Sequence, residues 1–507
     1  MALLSTVILA FLITLVLTPV VERLATSIRF VDQPDQHRKL HVNSTALGGG
    51  IAVFGGLVSS ILFTSVWEAN FTFSDDTIML LLCVGLICVL GLVDDKYGLR
   101  GRQKLLGQVT CVAALIANGL IVSKVFILGW EVNLGLLAIP FTVAWLLGAT
   151  NALNLIDGMD GLATSIGLVL SLALGAMAYV TGSVEEAYIA FALAGALAGF
   201  LIFNFPPASI FLGDAGSMLI GLLLGVLAIR SSLKGPATVV MAAPIAVLTV
   251  PMLDVAMAIL RRKLTGRSIY TTDRGHLHHC FLQNGIGNHR TLMWVGLMCS
   301  VTSVGGFTSV LWENELLAIL SMMAVIGTLI ATGIFGFREC ELLSRRVYRV
   351  AVSMVPRLQK RNSPSARVMS RFQGNRDWEQ LWNELLLFAD RFELDSVRLN
   401  VNVPALHESF HGDWKDPQSP AMGEQWHSEL PLKVDSTVVG TLRLTGTCKA
   451  GKCMEAIGQV ISELDTFQKL LGDLLNTHQR EDWELESSDV LTDEGAPATN
   501  LSPSAIQ

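Results

Sequence analysis

LGLLAIPFTVAWLLGATNALNLIDGMDGLATSIGLVLSLALGAMAYVT, residues 134–181, holds two long apolar runs separated by a short polar turn. The runs near 134–150 and 162–181 each approach the length of about 20 apolar residues that carries a helix across a bilayer. No charge interrupts either run, whereas the turn between them carries Asn151, Asn154, Asp157 and Asp160. The stretch therefore reads as a helical hairpin in a membrane, with its polar chemistry gathered at one end.

The rest of the chain repeats this pattern. Of its 507 residues, 51% are hydrophobic and 16% charged. With a mean hydropathy of +0.52, this excludes an ordinary soluble protein of such length. Further spans are expected near 2–21, 46–66, 76–93, 104–123, 187–203, 213–229, 237–260, 292–312 and 315–336, which predicts a polytopic α-helical membrane protein of about 11 transmembrane helices. The opening run from Leu3 to Val21 lacks a basic leader and a small-residue cleavage site, so it reads as the first retained span. Cys83, Cys88, Cys111 and Cys299 lie inside apolar runs as small hydrophobes, and Cys448 and Cys453 lack the further ligands a structural zinc needs. No basic stripe marks a nucleic-acid partner.

Loop charges set the orientation, because Lys and Arg are retained on the cytoplasmic side. Arg23, Arg29, Arg38 and Lys39 share one face with Lys96, Arg100, Arg102 and Lys104, with the basic loop Arg261–Arg290 and with Arg338–Arg349. The opposite loops are neutral or acidic, as at Val184–Glu186, apart from Lys124, Arg230 and Lys234. The N-terminus is therefore expected outside and the C-terminus in the cytoplasm. Residues 1–336 form the membrane domain in this reading, and 337–376 a basic amphipathic linker suited to the anionic inner leaflet. Residues 377–477 are expected to form a small cytoplasmic α+β module resembling a GAF-like sensor, and 478–507 a disordered acidic tail.

Five polar clusters fall on the basic face. The first, Asp32-Gln-Pro-Asp-Gln-His-Arg-Lys-Leu-His41, leads into Gly48–Gly50; Lys39 and His41 suit a diphosphate, and the same stretch also reads as a plain positive loop. The second joins Asp94 and Asp95, a pair able to serve as metal ligand and general base, or equally as a solvated span end balanced by Lys96. The third is Asn151-x-x-Asn154-x-x-Asp157-Gly-x-Asp160-Gly, a denser set of hydrogen-bonding and anionic groups than a plain turn requires. The fourth runs from Asn204 through Phe211 to Gly213-Asp214-Ala-Gly-Ser217. An Asp at a helix start beside phosphate-binding amides makes sense when a cation bridges the two anions, and Phe211 suits a nucleobase or a simple interfacial anchor. The fifth is Asp273-Arg274-Gly-His276-Leu-His278-His279; without matching Cys or carboxylate spacing, His beside Arg fits phosphate oxygens better than zinc.

Taken together and in order, Asp-Asp-x-x-Gly-Leu, Asn-x-x-Asn-x-x-Asp-Gly-x-Asp-Gly-Leu-Ala, Gly-Asp-x-Gly-Ser and His-x-His-His resemble the polyprenyl-phosphate N-acetylhexosamine-1-phosphate transferases (glycosyltransferase family 4) over roughly residues 1–336. The family includes phospho-MurNAc-pentapeptide transferase and the GlcNAc-1-phosphate transferases of envelope polysaccharide synthesis. The His-Leu-His-His form is similar to the undecaprenyl-phosphate GlcNAc-1-phosphate branch. The resemblance implies attack of undecaprenyl phosphate on a cytoplasmic UDP-N-acetylhexosamine, most simply UDP-GlcNAc, with Mg2+ or alternatively Mn2+, at the inner membrane of a bacterium. It implies Asp214 as main metal ligand, Asn204 as a second, and Asp94 with Asp95 as the pair linked to acceptor activation. By the same resemblance Asn151, Asn154, Asp157 and Asp160 shape the nucleotide-sugar site, Phe211 stacks on uracil, and Arg274, His276, His278 and His279 hold phosphates or sugar. An extra residue between Pro34 and Arg38, and Leu47 before the glycines, depart from the family pattern. A homodimer is compatible with this reading. The rival, a transporter or membrane sensor, would place its ionisable groups and broken helices near the midplane, whereas these acids lie at span ends.

Overall fold

The computed structural model describes residues 2–32, 44–67, 73–235, 238–265, 275–354, 368–373, 378–403, 408–416, 424–434, 437–448 and parts of 457–475. The chain divides into two compact units, Met1–Arg345 and Arg346–Gln507.

In the first unit the helices are α1 Ala2–Ser27, α2 Gly49–Trp67, α3 Asp75–Tyr97, α4 Gly101–Ala117, α5 Ala138–Ile156, α6 Leu162–Thr181 and α7 Val184–Asn204. They continue as α8 Gly213–Arg230, α9 Ala242–Val247, α10 Thr249–Thr265, α11 Leu277–Gln283, α12 Asn288–Leu311 and α13 Glu315–Ala331, and α14 Phe337–Met354 begins in this unit. Among the described residues, eight helical stretches are long and apolar enough to cross a membrane: α1, α2, α3, α5 with its preceding turn, α6, α7, α8 and α12. This is a polytopic helical membrane protein.

Three expected spans take a different form. The run near 104–123 is the shorter α4, ended at Asn118 and Gly119, after which the chain forms the hairpin β3 Lys124–Ile127 and β4 Trp130–Asn133. This follows the short strands β1 Val31–Asp32 and β2 Thr45–Ala46, which pair with each other. The run near 237–260 breaks into strand, short helix and helix. After β5 Leu233–Gly235, its first residues form β6 Thr238–Val240, which pairs parallel with β3 and antiparallel with β5, and Leu248 separates α9 from α10. Pro251 sits in the first turn of α10, where a missing amide costs no helical hydrogen bond. The run near 315–336 stops at Ala331, because Gly333 adopts a left-handed conformation. Hydropathy alone does not register such breaks.

The outer surface of α1 shows the lipid-facing logic. Leu4, Ile8, Leu12, Val16, Val20 and Leu24 form an exposed stripe at four-residue spacing, while Thr6, Ala10, Thr14 and Thr18 are buried against neighbours. Thr6 hydrogen-bonds Thr64 of α2 at 2.7 Å. Without hydrophobic drive between helices in lipid, small residues and such bonds hold the bundle.

At the centre stands α8, with 83% of its apolar window buried, packed on α2, α3, α5, α6 and α7. Close approach makes this possible. A Cβ on Gly91 of α3 would fall 2.3 Å from the N and Cα of Ala215, both backbone atoms that cannot yield. Gly91→Ala is accordingly expected to destabilise the bundle by about 1–3 kcal/mol through overpacking, read as a lower thermal midpoint in detergent; an unchanged midpoint would contradict this packing.

The second unit is α+β. Its antiparallel sheet has the order β10-β11-β8-β9-β7, with β7 Val368–Gln373, β8 Leu394–Val403, β9 Glu408–Lys415, β10 Glu424–Val434 and β11 Thr437–Cys448. Helix α15 Trp378–Arg391 covers it through Trp378, Trp382 and Leu385, while Val397, Leu399 and Val401 alternate inward from β8. Val460, Leu464, Phe467, Leu471 and Leu475 join the same core at helical spacing. Within the stretch expected as linker, α14 continues to Met354 and β7 is an edge strand of this sheet. The expected tail, 478–507, lies outside the described residues.

Candidate active site

Four helix ends converge at one end of the bundle. At the end of α3, Asp94 accepts the Leu99 amide through Oδ1 at 2.7 Å, folding the left-handed turn at Gly98 back on the helix. Asp95 reaches across to the start of α8 and accepts the amides of Asp214 at 2.9 Å and Ala215 at 3.3 Å. It thus supplies from another helix the cap that satisfies orphan amides and favours the positive end of the helix dipole. Gly213 permits this: its φ is +71°, and a Cβ there would lie 2.6 Å from Asp95 Oδ2.

Held this way, the Asp214 carboxylate meets Lys104 of α4 and Asn154 of α5. Lys104 Nζ donates to Asp214 Oδ2 at 2.6 Å and to Asn154 Oδ1 at 2.8 Å, and pairs with Asp94 Oδ2 at 2.8 Å. Asn154 Nδ2 donates to Asp214 Oδ1 at 2.6 Å and to Ser217 Oγ at 3.0 Å. One turn earlier, Asn151 Nδ2 donates to Gln108 Oε1 at 2.8 Å, so two residues of the asparagine motif grip two of α4. Lys104 thereby joins three of the expected clusters.

Asp157 caps the end of α5 and has no hydrogen-bond partner among the described residues. Burial, followed by the charges of Asp214, Asp95 and Asp160, pushes its carboxyl well above the usual carboxylate range. Asp160 instead accepts the Ala208 amide at 3.0 Å and so anchors the loop between α7 and α8. Asn204, expected as a second metal ligand, is 3% exposed, accepts from Thr164 Oγ1 at 2.7 Å and donates to the Ile210 carbonyl at 3.0 Å. Its amide is engaged in holding that loop. Phe211 is half-buried, and its backbone pairs with Ala46 and Gly49 at the start of α2.

The histidine segment arrives from another direction. Asp254 of α10, almost fully buried, accepts the Leu277 amide at 2.7 Å and holds His276 Nδ1 at 2.8 Å. His278 is 1% exposed, with neither ring nitrogen hydrogen-bonded, and packs between His276 and His279. Its Nε2 lies against Gly158, where a Cβ would stand 2.5 Å away, so the third and fifth clusters touch. Lys39, His41 and Arg274 lie outside the described residues.

Burial, with lesser pressure from His279 and His276 against an opposing pull from Asp254, holds the His278 ring at about 3, far below its ordinary 6.5. The folded chain therefore resists a proton that the unfolded chain accepts, and the associated stability is lost as pH falls from 6.5 towards 3. Between about pH 7 and about pH 5 the thermal midpoint of the wild type is expected to drop more steeply than that of His278→Gln. Parallel slopes would show that this ring does not resist protonation.

Sequence reasoning assigned no role to Lys104, Gln108, Asp254 or the pairing of Arg261. Lys104 was legible only as one more loop charge, and Asp254 only as a single acid within an apolar run, although an acid there is itself a sign of function.

These features define a membrane-embedded helical protein with a carboxylate-rich site at one end of its bundle. Residues 77–232 match the model of glycosyl transferase family 4. The chain is 32% identical over 362 residues to the Bacillus subtilis protein named "Probable undecaprenyl-phosphate N-acetylglucosaminyl 1-phosphate transferase", covering 70% of this chain and 96% of that one. It is 34% identical over 351 residues to a decaprenyl-phosphate N-acetylglucosaminephosphotransferase of Mycobacterium tuberculosis, with 64% and 86% covered. A phospho-N-acetylmuramoyl-pentapeptide-transferase of Halalkalibacterium halodurans is 31% identical over 324 residues, with 60% and 96% covered. The chain belongs to glycosyl transferase family 4.

Proposed function

We propose that the chain transfers N-acetylglucosamine 1-phosphate from UDP-GlcNAc to undecaprenyl phosphate, releasing UMP and leaving a diphosphate-linked sugar on the lipid. The observation that carries this reading is the joining of Asp94, Lys104, Asn154 and Asp214 at one bundle end. Basic loops support a cytoplasmic placement of that end, in a bacterial inner membrane. The product would be the first lipid-linked intermediate of an envelope polysaccharide. The relatives named for N-acetylglucosamine favour that donor, and the pentapeptide-transferase relative keeps other UDP-N-acetyl sugars as the alternative.

In the reaction, an oxygen of the acceptor phosphate forms a bond to the β-phosphorus as the bond to the UMP oxygen breaks. The acceptor is already largely ionised near neutral pH, so charge control matters more than proton removal, and direct attack suffices. Asp94 and Asp214 share the single cation Lys104, Asp95 stands at the start of α8 beside them, and Asp157, which has no hydrogen-bond partner among the described residues, lies close enough to feel the charges of Asp214 and Asp95. Such a donor set fits Mg2+, which favours one or two carboxylates together with substrate phosphates. Asp214 and Asp157 would hold the ion, and Asp157 takes the place first expected of Asn204. When bound, Mg2+ supplies charge neutralisation at the diphosphate.

The protein's own groups do the rest. Lys104, steadied by Asp94, offers positive charge to the transferring phosphate, and Asp95 fixes the helix start that carries Asp214. The neutral His278 stands beside the Asp157–Asp160 turn, and with His276, His279 and Arg274 it would meet the donor. Phe211 provides a face for uracil, and Lys39 with His41 meets phosphate. Membranes containing the protein, supplied with radiolabelled UDP-GlcNAc, polyprenyl phosphate and Mg2+, are expected to form a labelled lipid diphosphate. If they form none while another UDP-sugar reacts, the GlcNAc assignment fails.

A further inference from the structure

α10 ends at Thr265, and a buried guanidinium from its last turns meets the chain at Gly275. Arg261 of α10 donates through Nε to Glu339 Oε1 at 2.6 Å, and both side chains are nearly sealed from solvent, at 4% and 5% exposure. The other arm of the fork, Nη2, donates to the Gly275 carbonyl at 2.8 Å. Packing there is tight: a Cβ on Gly275 would overlap Arg261 Nη1 at 1.6 Å. Gly275 immediately precedes His276, held by Asp254, and His278, which lies against Gly158. Glu339 stands in the first turn of α14, the stretch that the sequence presents only as a linker.

A buried ion pair is a poor source of net stability, because desolvating both charges offsets most of their attraction. What a guanidinium does supply is a rigid planar fork that fixes two partners relative to each other. Here the two partners are a carboxylate on α14 and the backbone carbonyl that begins the histidine turn.

Building on the transferase reading above, we infer that Glu339 is a positioning residue for the His276–His278 turn, acting through Arg261. It touches no substrate. It holds the guanidinium in the one orientation that presents Nη2 to Gly275, and so sets where the histidines stand over the Asp157–Asp160 turn.

The test uses the full-length protein in detergent or nanodiscs. In Glu339→Ala the KM for UDP-GlcNAc is expected to rise about tenfold or more, the scale of effect that slight misplacement of binding groups produces. The KM for polyprenyl phosphate should stay unchanged. Glu339→Gln, which keeps the acceptor oxygen, should recover most of the donor KM. Arg261→Lys, which keeps the charge and loses the fork, should behave like Glu339→Ala, as should Gly275→Ala, which displaces the guanidinium. A second readout needs no turnover: Cys280 Sγ contacts the same Gly275 carbonyl at 3.6 Å, so its maleimide labelling rate, resolved by peptide mapping, should rise in the same variants.

Donor KM and Cys280 labelling both remaining near wild type in Glu339→Ala would overturn the inference. So would an equal rise in both KM values with a lowered thermal midpoint, the mark of general destabilisation. If Glu339→Ala does not accumulate, Arg261→Lys and Glu339→Gln read the same quantities. Should the wild type label lipid from no UDP-sugar, the transferase reading fails, while Cys280 labelling still decides whether Glu339 holds this turn.

Discussion

Asp214→Asn is expected to lower kcat/KM by about 10²–10³-fold, the scale seen when one preorganised electrostatic group is removed from a transition state. It should also raise the Mg2+ concentration for half-maximal activity. The substitution keeps the shape and removes the charge at the start of α8, so the Asp95 cap on the Asp214 and Ala215 amides is retained. What changes is the carboxylate shared by Lys104 and Asn154. A steady-state assay across a Mg2+ titration separates the two effects, and an unchanged Mg2+ profile would remove the proposed metal role of Asp214.

Lys104→Met should reduce the rate by a similar factor, about 10²–10³-fold, with the opposite shift in metal dependence. Its ammonium lies 2.6 Å from Asp214 and 2.8 Å from Asp94, so its loss leaves two carboxylates facing each other without a cation between them. Uncompensated like charges in a partly buried site attract a cation more strongly. Half-saturation should therefore occur at lower Mg2+ even as turnover falls. A variant in which both rate and metal requirement match the wild type would show that Lys104 only ties the helices together.

The spans were legible because membrane length and hydropathy leave little freedom. The hairpin of α5 and α6 follows from its two uninterrupted runs, whereas Asn151 and Asn154, read as part of the polar turn, stand three residues apart on one face of α5. That face is the one turned to α4 and α8. Long-range partners were not legible: Lys104 meets Asn154 fifty residues away and Asp214 one hundred and ten residues away, and loop charge alone cannot distinguish such a lysine from a topological one. The break of α9 from α10 was hidden because β6, α9 and the start of α10 carry no charge and are mostly apolar, and periodicity there is too short to separate strand from helix. The loop-holding bonds of Asn204 were hidden for a related reason, since a polar residue beside a metal-binding pattern reads the same whether it faces a ligand or ties down a loop.

The burial of α8 on every side also bears on the order in which the protein is made. Its main neighbours α2, α3, α5 and α6 all precede it in the chain, as does α7, and α9, which packs on it less extensively, follows. These helices leave the ribosome first, so α8 threads into a socket whose walls are already synthesised. Asp214 then reaches its carboxylate and ammonium partners as the bundle closes, and the site is completed by the same event that seals the interior. Nascent chains halted before residue 213 would carry the acids of α3, the lysine of α4 and the asparagines of α5 with an open slot between them.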